Sequence, residues 1–352
     1  MDQPTIDVYD QRGGQWAERR RPVRRADAAA FARRITPGRP RIDLGCGAGR
    51  YTGDLGRPVV GLDASWAMLA MCRQAIAAPL VQGDLEALPF GPQCLDGGWA
   101  NMSYLHVPSL RLPMALAELH RILVVDAAVD IQVLVGAYEG RALPDDDIGG
   151  RFFASWQPDA LHDVVVGAGF DVTDLEVVDD VVRVRARRAR TLADSVGPGM
   201  RLLMVGLNPS VFSADAGIGY ARPGNRFWPA ALAAGLVTRD RDPYHALAVH
   251  GVGMTDVVKR ATVGAKELTE AEYRSGMARV ERLTRWLRPA VVCMVGLSGW
   301  RAAVDRHGRP GVQPEPLGGR PVYLMPSTSG LNAHAQVPDL VAHMRAAVSA
   351  AT

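Results

Sequence analysis

Residues 41–65 read RIDLGCGAGRYTGDLGRPVVGLDAS. An apolar run ends in Asp43 and passes into three glycines, Gly45, Gly47 and Gly49. A second apolar run ends in Asp63, twenty residues after Asp43. Glycines let the backbone turn tightly and approach a ligand without a Cβ clash. An acid that closes the following strand is placed to accept hydrogen bonds from ribose hydroxyls. A third acid, Asp84 in VQGDLEALPF, follows the next apolar run. The spacing G-C-G-A-G departs from G-x-G-x-x-G and so argues against a dinucleotide.

Working outward, short apolar runs alternate with helix-like stretches through the first half of the chain. PVVGLD, APLVQGD, CLDGGWANM and VDIQVLV are expected strands; SWAMLAMCRQAI and LPMALAELHRIL are expected helices. That alternation predicts a parallel, doubly wound sheet. DVTDLEVVDDVVRVRAR, near 171–187, is an expected terminal hairpin. Residues 188–199 combine basic residues with Gly-Pro-Gly and are expected to be a linker. A second α/β series runs from RLLMVGL through the helices NRFWPAALAAGL and EAEYRSGMARVERLTRWL to the strands AVVCMVGL and PVYLMPS and a last helix, PDLVAHMRAAVSA.

Composition bounds the possibilities. With 352 residues, 48% hydrophobic and 22% charged, the chain is long enough for two domains and is neither disordered nor collagen-like. No apolar run is long enough for a transmembrane helix, no signal peptide is visible at the start, and a cytoplasmic, membrane-free protein is expected. Cys46, Cys72, Cys94 and Cys293 lie far apart, which argues against a disulfide framework, a zinc ribbon or an iron–sulfur cluster. Residues 1–190 hold 22 Arg and 25 acidic residues, and residues 191–352 hold 18 basic and 12 acidic ones. A phosphate-rich partner is therefore expected at the second half. Arg279, Arg282 and Arg285 recur at helical spacing and are expected on a solvated face.

The first half, residues 1–187, resembles class I S-adenosylmethionine-dependent methyltransferases. The resemblance implies a Rossmann-like fold that binds S-adenosylmethionine. Gly45 and Gly47 would pass under the methionine part, Asp43 would sit near its amino group, Asp63 would hold the ribose, and Asp84 with Leu85 would flank the adenine. GWANMSYLHV, after the fourth expected strand, holds neither Asn-Pro-Pro-Tyr nor Pro-Cys, so DNA methylation is not supported and the methyl acceptor stays open.

The second half carries MVGLNPSVFSADAGIGYARPGNRFW at 204–228, TDVVKRATVGAKELT at 255–269 and VYLMPSTSGLNAH at 322–334. These ordered motifs resemble the mismatch-specific uracil-DNA glycosylase family, which includes thymine-DNA glycosylases, over residues 200–352. The resemblance implies a second three-layer α/β domain acting on double-stranded DNA with a damaged or mismatched base. Breaking a base–sugar bond develops positive charge on the deoxyribose and negative charge on the base, so the site must place a water beneath C1′ and stabilise separating charges. Asn208, on a turn before Pro209, is the expected catalytic residue, holding that water with its amide oxygen. Asn is a poor base and offers no Schiff base, so the expected reaction is dissociative and monofunctional. Leu207, Ser210, Tyr220 and Asn225 are the expected base-binding residues, with Tyr220 stacking on the flipped base. Arg226, Phe227 and Trp228 are expected to anchor a helix. Ser327, Ser329 and Gly330 are expected at the DNA backbone, and Leu331 as the wedge filling the gap a flipped base leaves. Where relatives often carry Arg two residues later, Ala333 stands.

The sequence therefore predicts a two-domain α/β chain: a glycosylase hydrolysing uracil from double-stranded DNA, fused to a methyltransferase of unknown acceptor. The alternative is a methyltransferase carrying an inactive glycosylase-like DNA-binding module. No metal is expected in either half, and oligomeric state is open.

Overall fold

The computed structural model describes residues 2–19, 23–144 and 146–350. The chain divides into two compact units, Met1–Val166 with Phe170–Ala189, and Gly167–Gly169 with Arg190–Thr352.

The first unit is built on β1 (Arg41–Leu44), β2 (Val59–Asp63), β3 (Leu80–Gln82), β4 (Leu95–Asn101), β5 (Leu123–Leu134), β8 (Phe170–Val178) and β9 (Val181–Arg188), in the order β3-β2-β1-β4-β5-β9-β8. A small pair, β6 (Glu139–Gly140) with β7 (Phe153–Ala154), stands apart from that sheet. The first five strands are parallel; β9 and β8 add an antiparallel hairpin. Helices α1 (Gln3–Arg19), α2 (Arg25–Arg33), α3 (Trp66–Ala75), α4 (Leu112–Ile122) and α5 (Pro158–Gly167) complete the unit. Ser65 starts α3 by accepting from Met68 N at 3.2 Å, an N-cap that satisfies a free amide. The strand order reverses between β1 and β4, and such a switch point opens a crevice at the carboxyl ends of the strands. The strand expected at VDIQVLV begins earlier, at Leu123, which pairs with Leu95 of β4 ahead of a register shift; the β9 ladder joins from Ala128.

The second unit holds β10 (Leu202–Gly206), β11 (Val252–Asp256), β12 (Val292–Val295), β13 (Gly311–Val312) and β14 (Val322–Met325), in the order β11-β10-β12-β14-β13. All but β13 run parallel. Its helices are α6 (Val211–Ala216), α7 (Phe227–Ala233), α8 (Pro243–His250), α9 (Glu270–Leu287), α10 (Ser298–Ala303) and α11 (Val337–Ser349). Successive strand side chains point to opposite faces, so a sheet covered on both sides carries two cores. Leu202, Met204, Cys293, Tyr323 and Met325 pack with Trp228 of α7 and Met344 of α11. Their neighbours Leu203, Val205, Met294 and Leu324 pack with Val280 of α9 and Trp300 of α10. This is a three-layer α/β sandwich.

Residues 188–199, expected as a linker, are instead folded in. Arg188 closes β9, and Thr191, Asp194, Ser195 and Val196 are buried. The reason is a buried charge cluster: the Asp194 carboxylate accepts from Lys259 Nζ at 2.8 Å, Arg279 Nη1 at 2.7 Å and Thr255 Oγ1 at 2.7 Å. The same cluster corrects the expectation for Arg279. It is buried beside Asp194, while Arg285 on the same helix is exposed and pairs with Glu281. A buried carboxylate must be paired, and Lys259 and Arg279 hold Asp194 below the usual carboxylate range against the opposing effect of burial.

Candidate functional site

In the first unit a cavity of about 420 Å³ opens at the carboxyl ends of the parallel strands. Gly45, Gly47, Asp63 and Leu85 line it together. Gly45 has φ +72°, and a Cβ there would sit 2.4 Å from Ser103 Cβ, so only glycine fits that turn. Asp63 Oδ2 accepts from Gly47 N at 2.8 Å and Oδ1 from Ser65 N at 2.9 Å, which fixes the carboxylate at the end of β2. Burial raises its pKa to about 6, with those amides opposing the shift.

Asp43 and Asp84 stand apart from the cavity lining. Asp43 is buried, accepts from Thr52 Oγ1 at 2.6 Å, and is pushed up to about 7 by burial. Asp84 shapes the bend after β3 by accepting from Glu86 N at 2.9 Å.

The far side of the cavity holds residues that the sequence did not single out. Tyr9 Oη lies 3.0 Å from His106 Nε2, His106 Nδ1 lies 2.6 Å from Phe152 O, and Arg151 Nη1 donates to Tyr9 Oη at 2.8 Å. A carbonyl only accepts, so Nδ1 carries the ring proton and Nε2 accepts from the tyrosine. Burial lowers the His106 pKa to about 4, so the ring is neutral at physiological pH. Asn101 Oδ1 and Ser103 Oγ also line the cavity, buried and without a hydrogen-bond partner among the described residues. A turn at Gly45 closed to a Cβ, a carboxylate fixed at the end of β2 and two buried polar atoms without a partner among the described residues fit a nucleoside-bearing cofactor such as S-adenosylmethionine.

In the second unit, the loop after β10 is stitched to the segment after β11. Val257 N donates to Gly206 O at 2.9 Å, Val258 N to Leu207 O at 2.9 Å, and Val211 N to Thr262 O at 3.2 Å. Asn208 sits in this seam. Its Nδ2 donates to Thr262 Oγ1 at 2.8 Å, Arg260 O at 3.0 Å and Pro209 O at 3.1 Å. Two of those partners are carbonyls and can only accept, so the orientation of the amide follows from the network. Among the described residues its Oδ1 makes no hydrogen bond.

Around Asn208, Leu207 is partly buried against the core. Ser210 caps α6, accepting from Ser213 N at 3.1 Å. Tyr220 has φ +59° and stacks on Phe227 with ring centroids 4.0 Å apart. Its hydroxyl is buried without a hydrogen-bond partner among the described residues. Asn225 turns the chain into α7, its Oδ1 accepting from Phe227 N at 2.9 Å.

The loop after β14 meets the turn before α7. A Cβ on Gly330 would lie 2.8 Å from Gly224 O, so the two backbones touch. Arg226, expected as a helix anchor in the core, reaches across instead. Nη2 donates to Ser329 O at 2.8 Å and Asn332 O at 2.5 Å, and Nη1 donates to Ala335 O. Ser329 N donates to Ser327 Oγ and Leu331 N to Ser329 Oγ, both at 3.3 Å. Leu331 stands at the tip, 85% exposed.

Both units are α/β folds, and the residues described above lie at the carboxyl ends of their parallel strands. Residues 42–129 match the family model of a methyltransferase domain, and residues 193–350 match that of the uracil DNA glycosylase superfamily. The chain thus carries a methyltransferase domain followed by a uracil DNA glycosylase superfamily domain. Solved structures similar to it include an S-adenosylmethionine-dependent methyltransferase from Methanosarcina mazei (13% identity over 46% of this chain and 97% of that one, TM-score 0.41). A second, from Thermotoga maritima, is described as a possible histamine N-methyltransferase (15% identity, 52% and 99%, TM-score 0.41). A third is the 1,6-didemethyltoxoflavin-N1-methyltransferase of Burkholderia thailandensis (18% identity, 52% and 85%, TM-score 0.43). Among the described residues no helix is long and apolar enough to cross a membrane.

Proposed function

We propose that the second domain is a monofunctional DNA glycosylase that hydrolyses the bond between uracil and deoxyribose in double-stranded DNA, opposite guanine. The observation that carries this reading is the orientation of Asn208. Three oxygens hold its amide nitrogen, which leaves its oxygen to grip a water. Uracil leaves readily, so a held water and a stabilised charge separation suffice. Leu207, Ser210, Tyr220 and Asn225 would surround the flipped base. Ser327, Ser329 and Gly330 would meet the strand, and Leu331 would enter the duplex.

The first domain would bind S-adenosylmethionine. Gly45 and Gly47 would pass beneath its methionine part, Asp63 would hold its ribose and Leu85 would cover its adenine. When bound, the cofactor supplies an electrophilic methyl group. Asp43 would act by fixing the first turn through Thr52, and Asp84 by setting the bend that presents Leu85.

The test is excision of uracil from a labelled G·U duplex, with Asn208→Ala as control and alkali to break the abasic strand. Cleavage by the parent, and much slower cleavage by the variant, supports the reading. No cleavage by the parent on duplex or single strand sinks it and leaves the DNA-binding alternative.

A further inference from the structure

We infer that Asp256 is a second catalytic residue of the glycosylase centre, the proton acceptor for the water that attacks C1′. The inference rests on the uracil-excision reading above. Asp256 ends β11 and lies directly opposite Gly206, the last residue of β10 and two before Asn208. Its carboxylate crowds that glycine closely: a Cβ on Gly206 would sit 2.4 Å from Asp256 Oδ1. Residue 206 must be glycine for the carboxylate to occupy this place.

The Asp256 backbone carbonyl accepts from Arg279 Nη2 at 2.9 Å, while among the described residues its partly buried carboxylate makes no hydrogen bond. Its charged surroundings are Lys259 and Asp194 behind it and Arg279 from α9, with the Tyr220 hydroxyl facing Gly206 from the turn before α7. Lys259 and Arg279 are already committed to Asp194. A partly buried carboxylate with no partner costs stability, which a role in the site rather than in the fold accounts for. Burial raises it to about 6, with Asp194 adding to the shift and Lys259 and Arg279 opposing it. An acceptor with that pKa is ionised at pH 7 yet basic enough to take a proton.

Asn208 and Asp256 then divide the work. The Asn208 amide oxygen holds the water; the water oxygen bonds to C1′ as the C1′–N bond breaks. The electron pair of that bond leaves with the base, and the water proton passes to the Asp256 carboxylate. The same negative charge stabilises the cationic deoxyribose of a dissociative transition state.

The test is single-turnover excision of uracil from a G·U duplex across about pH 5 to 8.5, by the full chain, by Asp256→Asn and by Asn208→Ala. The parent rate is expected to fall through a single-proton limb below about pH 6. Asp256→Asn is expected to be about 100-fold slower at pH 8 and to lack that limb. Asn208→Ala, slower throughout, is expected to keep it. Thermal melting at pH 8 is expected to show Asp256→Asn at least as stable as the parent, since the carboxylate has no partner to lose. An active parent whose Asp256→Asn variant keeps the parental rate or limb, or melts lower, overturns this inference alone. A parent that releases no uracil from duplex or single strand overturns the excision reading and this inference with it.

Discussion

Arg226 and Ser329, 103 residues apart in the chain, are joined by a 2.8 Å hydrogen bond from the guanidinium to the backbone carbonyl. The bond ties the turn that carries Tyr220 and Asn225 to the loop that carries Leu331. Arg226→Ala is expected to lower stability by about 2 kcal/mol, as for a charged donor leaving buried carbonyls. It is also expected to raise the DNA concentration needed for half-maximal excision at least tenfold. Because Arg226 faces carbonyls rather than phosphates, the slope of affinity against salt should stay parental. Titrations at several salt concentrations check this; a shallower slope would move Arg226 onto the DNA.

Thr262 bears on catalysis through Asn208. Thr262→Val keeps the volume but removes the hydroxyl that accepts from Asn208 Nδ2. Two carbonyl partners remain, so the amide loosens without turning over. Single-turnover excision of uracil should slow by about tenfold, with affinity for duplex unchanged. A parental rate would show that the two carbonyls alone hold the amide.

Leu331 is 85% exposed and contributes little to the fold. Leu331→Ala should melt with the parent yet excise uracil from duplex at least tenfold more slowly, because the gap left by the flipped base goes unfilled. On single strands, where nothing needs filling, the two proteins should match. Equal losses on both substrates would rule out the wedge.

Asp63 predicts a pH dependence in the first domain. Its carboxyl has a pKa of about 6 in the folded chain and about 3.9 when unfolded. The folded state therefore keeps the proton longer, and Asp63 costs stability as pH rises through that window. Cofactor binding runs the other way, because only the ionised form offers both oxygens to ribose hydroxyls. Calorimetry should show S-adenosylmethionine binding that weakens below about pH 6 in the parent. In Asp63→Asn it should be weak at every pH.

Much of this was legible in the sequence for a physical reason. Both sheets are parallel and buried on two faces, so runs such as RLLMVGL and AVVCMVGL stand out as unbroken apolar stretches. The loop positions of Asn208 and Leu331 were legible because their motifs break the periodicity of the flanking elements. β11 was not, because VGMTD is short, holds a glycine and ends in polar residues. With it went the placement of Asp256. Helix α1 was hidden by Gly13 and Gly14, which lower helix propensity in its middle. The buried Asp194–Arg279 pair was read as linker and solvated face because a pairing across 85 residues leaves no local pattern.

The residues assigned to the glycosylase centre leave the sheet together, Asn208 after β10, Asp256 at the end of β11 and Ser327 after β14, while the two cores lie behind them on either face. Stability and selectivity are thus written in separate stretches of chain. On the glycosylase reading proposed above, exchange of these three short connections would alter the base recognised and leave the two cores untouched.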